Sequence, residues 1–311
     1  SGATVGWTPS SDIVNALEPV QPPTQRGIFA FGSGSSGVTN VSNLVNSSGV
    51  VATNTTGVGT ARRHLAAASY GGDKAIFAFG YSTGDTNLSN LVSSSGVVAT
   101  DTTGVGTARG YLVGAGYGDD KAIFAYGVNG GVQSMSNLVS SSGVVAADTT
   151  GVGTARQGAG AARYGSTGQA IVAFGNTGGS TYVNTRNLIS NTGVVASDLS
   201  GVGTARAYTN LGTAYGGDKA IIAYGYTGSN SNISNLISNT GVVGSDVSGV
   251  GTARESPAAT NYGGDKAIYA YGAGPTAVSN LVNSSGVIAA DVTGVGTART
   301  GPAAAGYSFS A

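Results

Sequence analysis

The 311-residue chain balances 14 Lys and Arg against 14 Asp and Glu, and charged residues make up only 9% of it. This neutral surface, with no basic run, argues against a nucleic-acid groove. The chain has no Cys, which excludes disulfides and thiol chemistry, and no apolar run approaches the roughly 18 residues that membrane insertion requires.

Residues 1–26 lie outside the repeats that follow and are predicted to form an N-terminal arm. They contain the only Trp, Trp7, a helix candidate over residues 12–18, and a Pro-rich tether over residues 19–24. A tether of prolines beside a single Trp predicts attachment to something other than the repeats. The alternative is that Trp7 packs the arm against the repeats themselves.

Residues 27–311 consist of copies of one unit. The first Ile of each apolar strand recurs every 47 to 50 residues, at Ile28, Ile76, Ile123, Ile171, Ile221 and Ile268. Short apolar strands and Gly-rich turns at this period are typical of propeller blades, whereas helical repeats would need long stretches of 3.6-residue periodicity. The unit is therefore predicted to be one blade of a β-propeller.

Each unit predicts four strands, here labelled a to d. In the second copy, strand b covers residues 74–80, strand c residues 88–92 and strand d residues 97–100. A crossing loop over residues 101–109 then leads to strand a of the next copy. Strand a is rich in Ala and Gly, as expected where several strands converge on an axis.

The two ends of the repeat region complement each other. The first copy begins at strand b, residues 27–32, and the last copy ends with an additional strand a, residues 300–307. Pairing of these segments would complete one blade and leave no open sheet edge. The predicted fold is all-β: a six-bladed β-propeller of four-stranded blades, closed by the C-terminal strand.

The order of features is similar to that of a Kelch repeat. Arg is followed by a small-residue strand, Tyr-Gly-Gly-Asp-Lys, an apolar strand ending in aromatic-Gly, a second strand, a turn and a loop back to Arg. Two hallmarks differ: a single Gly, such as Gly80, follows strand b, and Val98 stands where Kelch repeats have Trp. The resemblance implies a Kelch-like propeller and does not carry over the family's partner-binding role. In composition, the copies also resemble repeat arrays in virion proteins of tailed bacteriophages.

The segments between strands b and c vary most from copy to copy. Because strand direction alternates, they share one face with the crossing loops, called the loop face below. Tyr81, Tyr182 and Tyr226 lie in these segments and are candidate ligand contacts. The alternative is that these loops have drifted without constraint.

One Arg ends each crossing loop, and five of the six have an Asp eight positions earlier. The arginines are Arg62, Arg109, Arg156, Arg206, Arg254 and Arg299, and the acidic residues are Asp101, Asp148, Asp198, Asp246 and Asp291, with Asn54 in the remaining copy. A loop that doubles back would pair its own Asp and Arg, which predicts a structural role. The alternative is a ring of arginines that captures an anion near the axis.

The residues needed for common enzyme sites are scarce. His64 is the only His, and Glu18 and Glu255 are the only Glu residues. The chain therefore lacks the residues needed for a catalytic triad, a His or Cys metal centre or a pair of catalytic carboxylates. No catalysis or cofactor is predicted. The predicted function is a non-enzymatic structural or adhesion module on a virion surface, as part of a phage tail, fibre or capsid, or in another extracellular setting. It would present the loop face for attachment and bind other virion or scaffold proteins through the N-terminal arm. The alternative is a soluble lectin that binds a host surface glycan through the tyrosines of the loop face.

Overall fold

The computed structural model describes residues 23–209 and 211–311, and the regular elements in these ranges are all β-strands. The predicted all-β class is confirmed. The search for long apolar helices, confined to the described ranges, finds none that could cross a membrane. Trp7 and the helix predicted over residues 12–18 lie outside the described residues.

Most strands belong to six antiparallel three-stranded sheets. In each sheet we call the edge strand that contacts its counterparts in neighbouring sheets the inner strand, and the opposite edge strand the outer strand. The inner strands are β5 (Ala66–Tyr70), β8 (Val113–Tyr117), β11 (Gly160–Tyr164), β14 (Thr213–Tyr215), β17 (Ala258–Tyr262) and β20 (Ala303–Tyr307). The middle strands are β1 (Arg26–Ala30), β6 (Lys74–Ala78), β9 (Lys121–Ala125), β12 (Gln169–Asn176), β15 (Lys219–Tyr226) and β18 (Lys266–Ala270). The outer strands are β4 (Ser42–Val45), β7 (Ser89–Val92), β10 (Ser136–Val139), β13 (Tyr182–Ile189), β16 (Asn230–Ile237) and β19 (Ser279–Val282). A small hairpin, β2 (Ser33–Gly34) with β3 (Gly37–Val38), follows β1.

Sheet 1 contains β20, β1 and β4, and sheets 2 to 6 follow along the chain with three consecutive strands each. In sheet 1, β20 pairs antiparallel with β1, with Gly27 opposite Gly306 and Ala30 opposite Ala303. The two ends of the repeat region therefore share one sheet. Each inner strand also contacts the inner strand of the next sheet, and β17 of sheet 6 contacts β20 of sheet 1.

The middle strands form the core. In β6 every residue after Lys74 is buried, so the strand is covered on both faces. Aromatic side chains meet between neighbouring sheets: the rings of Phe31 and Phe77 are 5.4 Å apart, and those of Phe79 and Phe124 are 5.7 Å apart, both edge to face. The sheets therefore pack face to face through their middle strands.

The predicted fourth strand of each unit was wrong. Residues 97–100 form no strand, and this segment joins β7 only through isolated bridges, Val92 to Val98 and Ser89 to Thr102. The register shifts by one residue between these bridges, because Asn90 Nδ2 donates a hydrogen bond to the Ala99 carbonyl over 3.0 Å in place of a backbone amide. Each unit is thus a three-stranded sheet with a bridged fourth segment.

Candidate functional site

The six arginines at the ends of the crossing loops are buried, with at most 1% of their surface exposed. The guanidinium of Arg62 donates to the Phe79 carbonyl over 2.9 Å and to Asn90 Oδ1 over 2.6 Å, both in sheet 2. It also lies 4.3 Å from the centre of the Phe31 ring of sheet 1. Arg62 therefore links two neighbouring sheets through hydrogen bonds on one side and a cation–π contact on the other.

The other five arginines repeat this stacking on the preceding sheet. Arg109, Arg156, Arg206, Arg254 and Arg299 lie over Phe79, Tyr126, Phe174, Tyr224 and Tyr271 respectively. Burial lowers the pKa of Arg62 to about 10, opposed by the charge of Asp101, so the guanidinium stays charged at neutral pH. None of these six side chains is exposed enough to join a solvent-facing anion ring.

The predicted pairing of Asp and Arg within one loop was wrong. Asp101 Oδ1 lies 3.7 Å from Arg62 Nη1, so it faces the arginine of the preceding crossing loop and not Arg109. Asp148 faces Arg109 at 3.8 Å in the same way. The crossing loop spans the gap between two sheets and cannot double back, so its two ends find partners in different units.

Asp101 also holds the preceding crossing loop in place. It accepts hydrogen bonds from the amide of Thr60 at 2.9 Å, the hydroxyl of Thr60 at 2.6 Å and Asn90 Nδ2 at 2.9 Å. Burial raises the pKa of the Asp101 carboxyl, but these hydrogen bonds and the charge of Arg62 outweigh it, and the pKa lies below its ordinary value. The ionised carboxylate therefore connects sheet 2 to the crossing loop that leads from sheet 1, and we call this set of contacts a joint.

In the copy without Asp, Asn54 forms the same joint without a charge. Its Oδ1 accepts from the Thr297 amide over 3.1 Å, and its Nδ2 donates to the Thr297 hydroxyl over 2.6 Å. Arg299 keeps its bond to Asn43 Oδ1 at 2.8 Å. The joint thus depends on hydrogen-bonding shape more than on the charge of the acidic residue.

The structure brings together two of the three tyrosines named from the sequence. The rings of Tyr182 and Tyr226 lie 5.9 Å apart, edge to face. They are carried by the hairpins β12–β13 and β15–β16, whose strands have eight residues, whereas the corresponding strands of the other sheets have four or five. Tyr81 lies apart from them, with the guanidinium of Arg63 5.8 Å from its ring centre.

A further set of residues was missed by sequence reasoning. The position two residues after each arginine holds His64, Tyr111, Gly158, Tyr208, Ser256 and Gly301, all with φ between 51 and 59°. Five of these residues donate a backbone hydrogen bond to another member of the set in a different sheet, over 2.7 to 3.2 Å. The bonds run from His64 to Gly301, from Tyr111 to His64, from Gly158 to Tyr111, from Ser256 to Tyr208 and from Gly301 to Ser256. We call these six residues the axial ring, after the axis of the propeller that we propose below.

Three aromatic side chains of the axial ring form a stack. The imidazole of His64 lies 3.9 Å from the Tyr111 ring, nearly parallel to it, and Tyr111 meets Tyr208 edge to face at 5.7 Å. Burial, with a smaller contribution from the charge of Arg63, lowers the pKa of His64 to about 3, so its imidazole is neutral. The sequence feature that could have revealed these residues is the presence of aromatic side chains at a position that two other copies fill with Gly.

Across residues 23–209 and 211–311, no three His, Asp or Glu side chains come together as a metal site requires. Comparison of the sequence with protein-family models and with curated proteins finds no match. The resemblance to Kelch repeats and to phage virion arrays stays a prediction. The arginines and their partners hold sheets together, which leaves the tyrosines and the axial ring as the candidate functional site.

Proposed function

We propose that the repeats form a six-bladed, Kelch-like β-propeller in which each sheet and its bridged fourth segment make one blade. The support is that contacts pass from every sheet to the next and return to the first. Arg299 of sheet 1 lies 3.8 Å from the centre of the Tyr271 ring of sheet 6. A cavity of ≈ 130 Å³ lies among residues of all six inner strands, among them Ala68 and Ala162. In this architecture the cavity is the axial channel.

The propeller serves as a non-enzymatic structural or adhesion module on a virus particle or in another extracellular assembly. The observation that carries this proposal is that the differences between the six copies are concentrated on the loop face. The joints between sheets are nearly invariant, whereas the long hairpins with Tyr182 and Tyr226 and the aromatic residues of the axial ring gather on the loop face. A repeated scaffold with variation on one face is suited to recognition by that face.

Attachment to the assembly runs through the N-terminal arm. Of the predicted arm, residues 23–26 lie against the sheets: Gln25 N donates to the Ser308 carbonyl over 2.8 Å, and Asn261 Nδ2 donates to Thr24 Oγ1 over 2.7 Å. Asn261 is near the end of β17 and Ser308 follows β20, so these contacts lie at the ends of the two strands that are farthest from the axial ring. Residue 23, where the described part of the chain begins, therefore lies on the side of the body opposite the loop face.

A particle experiment tests this function. The full chain, carrying an epitope tag inserted after the exposed Gly130 of the loop face, is produced in its source and sedimented on a density gradient. We expect it to band with particles and bind antibody there, and we expect a chain lacking residues 1–22 to stay at the top as folded, free protein. Recovery of the full chain only as free protein would contradict the proposal.

A further inference from the structure

We propose that the loop face binds a neutral glycan on an aromatic site with Tyr111 and Tyr208 as its floor and Tyr182 and Tyr226 as its wall. This inference rests on the proposed role of the loop face in recognition and names the class of ligand. None of these four side chains is fully buried or freely exposed; each is half-buried. The rings are thus held in place while part of each remains open to a ligand.

The rings of the floor stand at a position that the fold does not require to be aromatic. Tyr111 and Tyr208 have φ values of 51° and 52°, a region that only Gly occupies without strain. Gly158 and Gly301 occupy the same ring position with φ of 59° each. Because Gly fits the position in two copies, two strained tyrosines there point to a use for their rings.

The floor and wall belong to one surface. Tyr226 of the wall pairs with Ala207, the residue before Tyr208 of the floor, through two backbone hydrogen bonds of 2.8 and 3.0 Å. The ring contacts agree, since Tyr111 meets Tyr208 at 5.7 Å and Tyr182 meets Tyr226 at 5.9 Å. The residues come from sheets 3, 4 and 5, so the site exists only when these sheets are assembled.

The chemistry of the surface fits a sugar. Tyrosine rings offer flat apolar faces for the C–H groups of a pyranose, and their hydroxyls both donate and accept hydrogen bonds. Glu255 precedes Ser256, whose amide donates to the Tyr208 carbonyl over 2.7 Å, and Arg63 precedes His64, whose ring stacks on Tyr111 at 3.9 Å. One carboxylate acceptor and one guanidinium donor therefore adjoin the floor along the chain. These two charges cancel, so the site favours a neutral glycan over an acidic one.

The test uses the full chain on an array of neutral and acidic oligosaccharides, followed by calorimetric titration with the best neutral binder. We expect Tyr208→Gly and Tyr226→Ala each to weaken binding by about tenfold or more. Both variants should keep the wild-type unfolding temperature, because Gly suits the ring position and Tyr226 lies at the end of a hairpin. Val38→Ala is the control, an exposed apolar residue in the β2–β3 hairpin next to sheet 1 and outside the site, and should bind as the wild type does.

Three results would overturn the inference. One is the absence of saturable binding to any neutral glycan. Another is loss of binding in Val38→Ala but not in the two site variants. The third is a lower unfolding temperature with unchanged affinity in Tyr208→Gly, which would make the ring a structural plug. Failure of the particle experiment alone would leave glycan binding standing, so the two proposals fail separately.

Discussion

Each buried arginine is charged in a place where charge is costly unless it is compensated. Arg62 meets this cost with three neutral acceptors, Phe79 O, Thr60 O and Asn90 Oδ1, and with the face of an aromatic ring. The carboxylate of Asp101 stands farther away, at 3.7 Å. Removing one partner of such a group leaves unsatisfied polar atoms behind, which is the destabilising event.

Substitutions at Asp101 separate charge from hydrogen bonding. We expect Asp101→Asn to reduce the free energy of unfolding by less than about 1 kcal/mol, because Asn54 makes the same joint in sheet 1. Asp101→Ala removes the acceptor of the Thr60 amide and hydroxyl and should cost about 2 to 3 kcal/mol. Urea unfolding measures both variants, and equal losses would show that charge dominates the joint.

The single histidine gives the protein a defined acid sensitivity. Its pKa falls from the ordinary 6.5 to about 3 on folding. Between these values the unfolded chain binds a proton that the folded chain does not, so stability present above pH 6.5 is lost as the pH falls, approaching about 1.4 kcal/mol per unit. The groups facing His64 are Arg63, Tyr111 and the backbone of Gly301.

We expect His64→Asn to abolish most of this slope between pH 5 and pH 6.5. Asn tolerates the positive φ of the position and does not titrate. Glu255, whose pKa is raised by burial, is retained in both proteins and cancels in the comparison. Chemical unfolding across this pH range measures the slope, and the same slope in both proteins would contradict the assignment to His64.

At the scale of elements, neighbouring sheets interlock where a turn meets a tyrosine. Tyr70, at the end of inner strand β5, lies against Gly143 in the turn after β10, and a Cβ on Gly143 would come within 2.9 Å of the Tyr70 ring. Tyr307 and Gly96 repeat the contact between sheets 1 and 2, and Tyr262 and Gly49 repeat it between sheets 6 and 1. The Gly in each turn therefore sets how closely adjacent sheets approach.

Gly143→Ala tests this interlock. The substitution adds both backbone strain, at a φ of 82°, and a clash with Tyr70, so we expect a loss of about 2 kcal/mol or more. Gly130→Ala is the matched control: its φ is also positive, at 63°, but no atom lies within 4 Å of the added Cβ. Thermal unfolding of both variants decides, and equal losses would mean that strain alone matters.

The strands could be predicted from the sequence better than the side-chain contacts between sheets. Middle strands such as β6 follow directly from continuous apolar runs, and the pairing of β20 with β1 follows from the complementary ends. The prediction of a fourth strand failed because Asn90 Nδ2 donates to the Ala99 carbonyl and to Asp101 Oδ1, and these side-chain bonds, which propensity does not reveal, interrupt the ladder. The partner of Asp101 failed because spacing along the chain cannot show that it meets the previous unit. The axial ring was missed because only backbone angles show that aromatic residues there are strained.

At the scale of the whole molecule, the two ends of the repeat region are joined through sheet 1. Both β1 and β20 depend on this pairing, and Arg299 depends on its placement between sheets 6 and 1. In the ring that we propose, each unit is supported by two neighbours, so loss of one strand would remove support on two sides. Stability is therefore expected to be a property of the full set of sheets.

Removing β20 should unfold the domain as a whole. We expect a chain that ends at residue 299 to lose cooperative unfolding and to expose apolar surface, because β1 would lack its partner. A chain that ends at residue 308 is the control, since it keeps β20 complete. Circular dichroism melts and dye binding distinguish the two, and a cooperative melt of the shorter chain near the wild-type temperature would argue against closure.

The most direct measurement of closure is a covalent link between the two ends. The chain has no Cys, and Ala30 lies directly opposite Ala303 in the pairing of β1 with β20. In the variant carrying Ala30→Cys and Ala303→Cys, we expect oxidation of the folded protein to form the disulfide completely. The bond should raise the free energy of unfolding by about 2 to 4 kcal/mol, with no change in shape by X-ray scattering. Two thiols that remain free in the folded protein under oxidising conditions would contradict the closed arrangement of the six sheets.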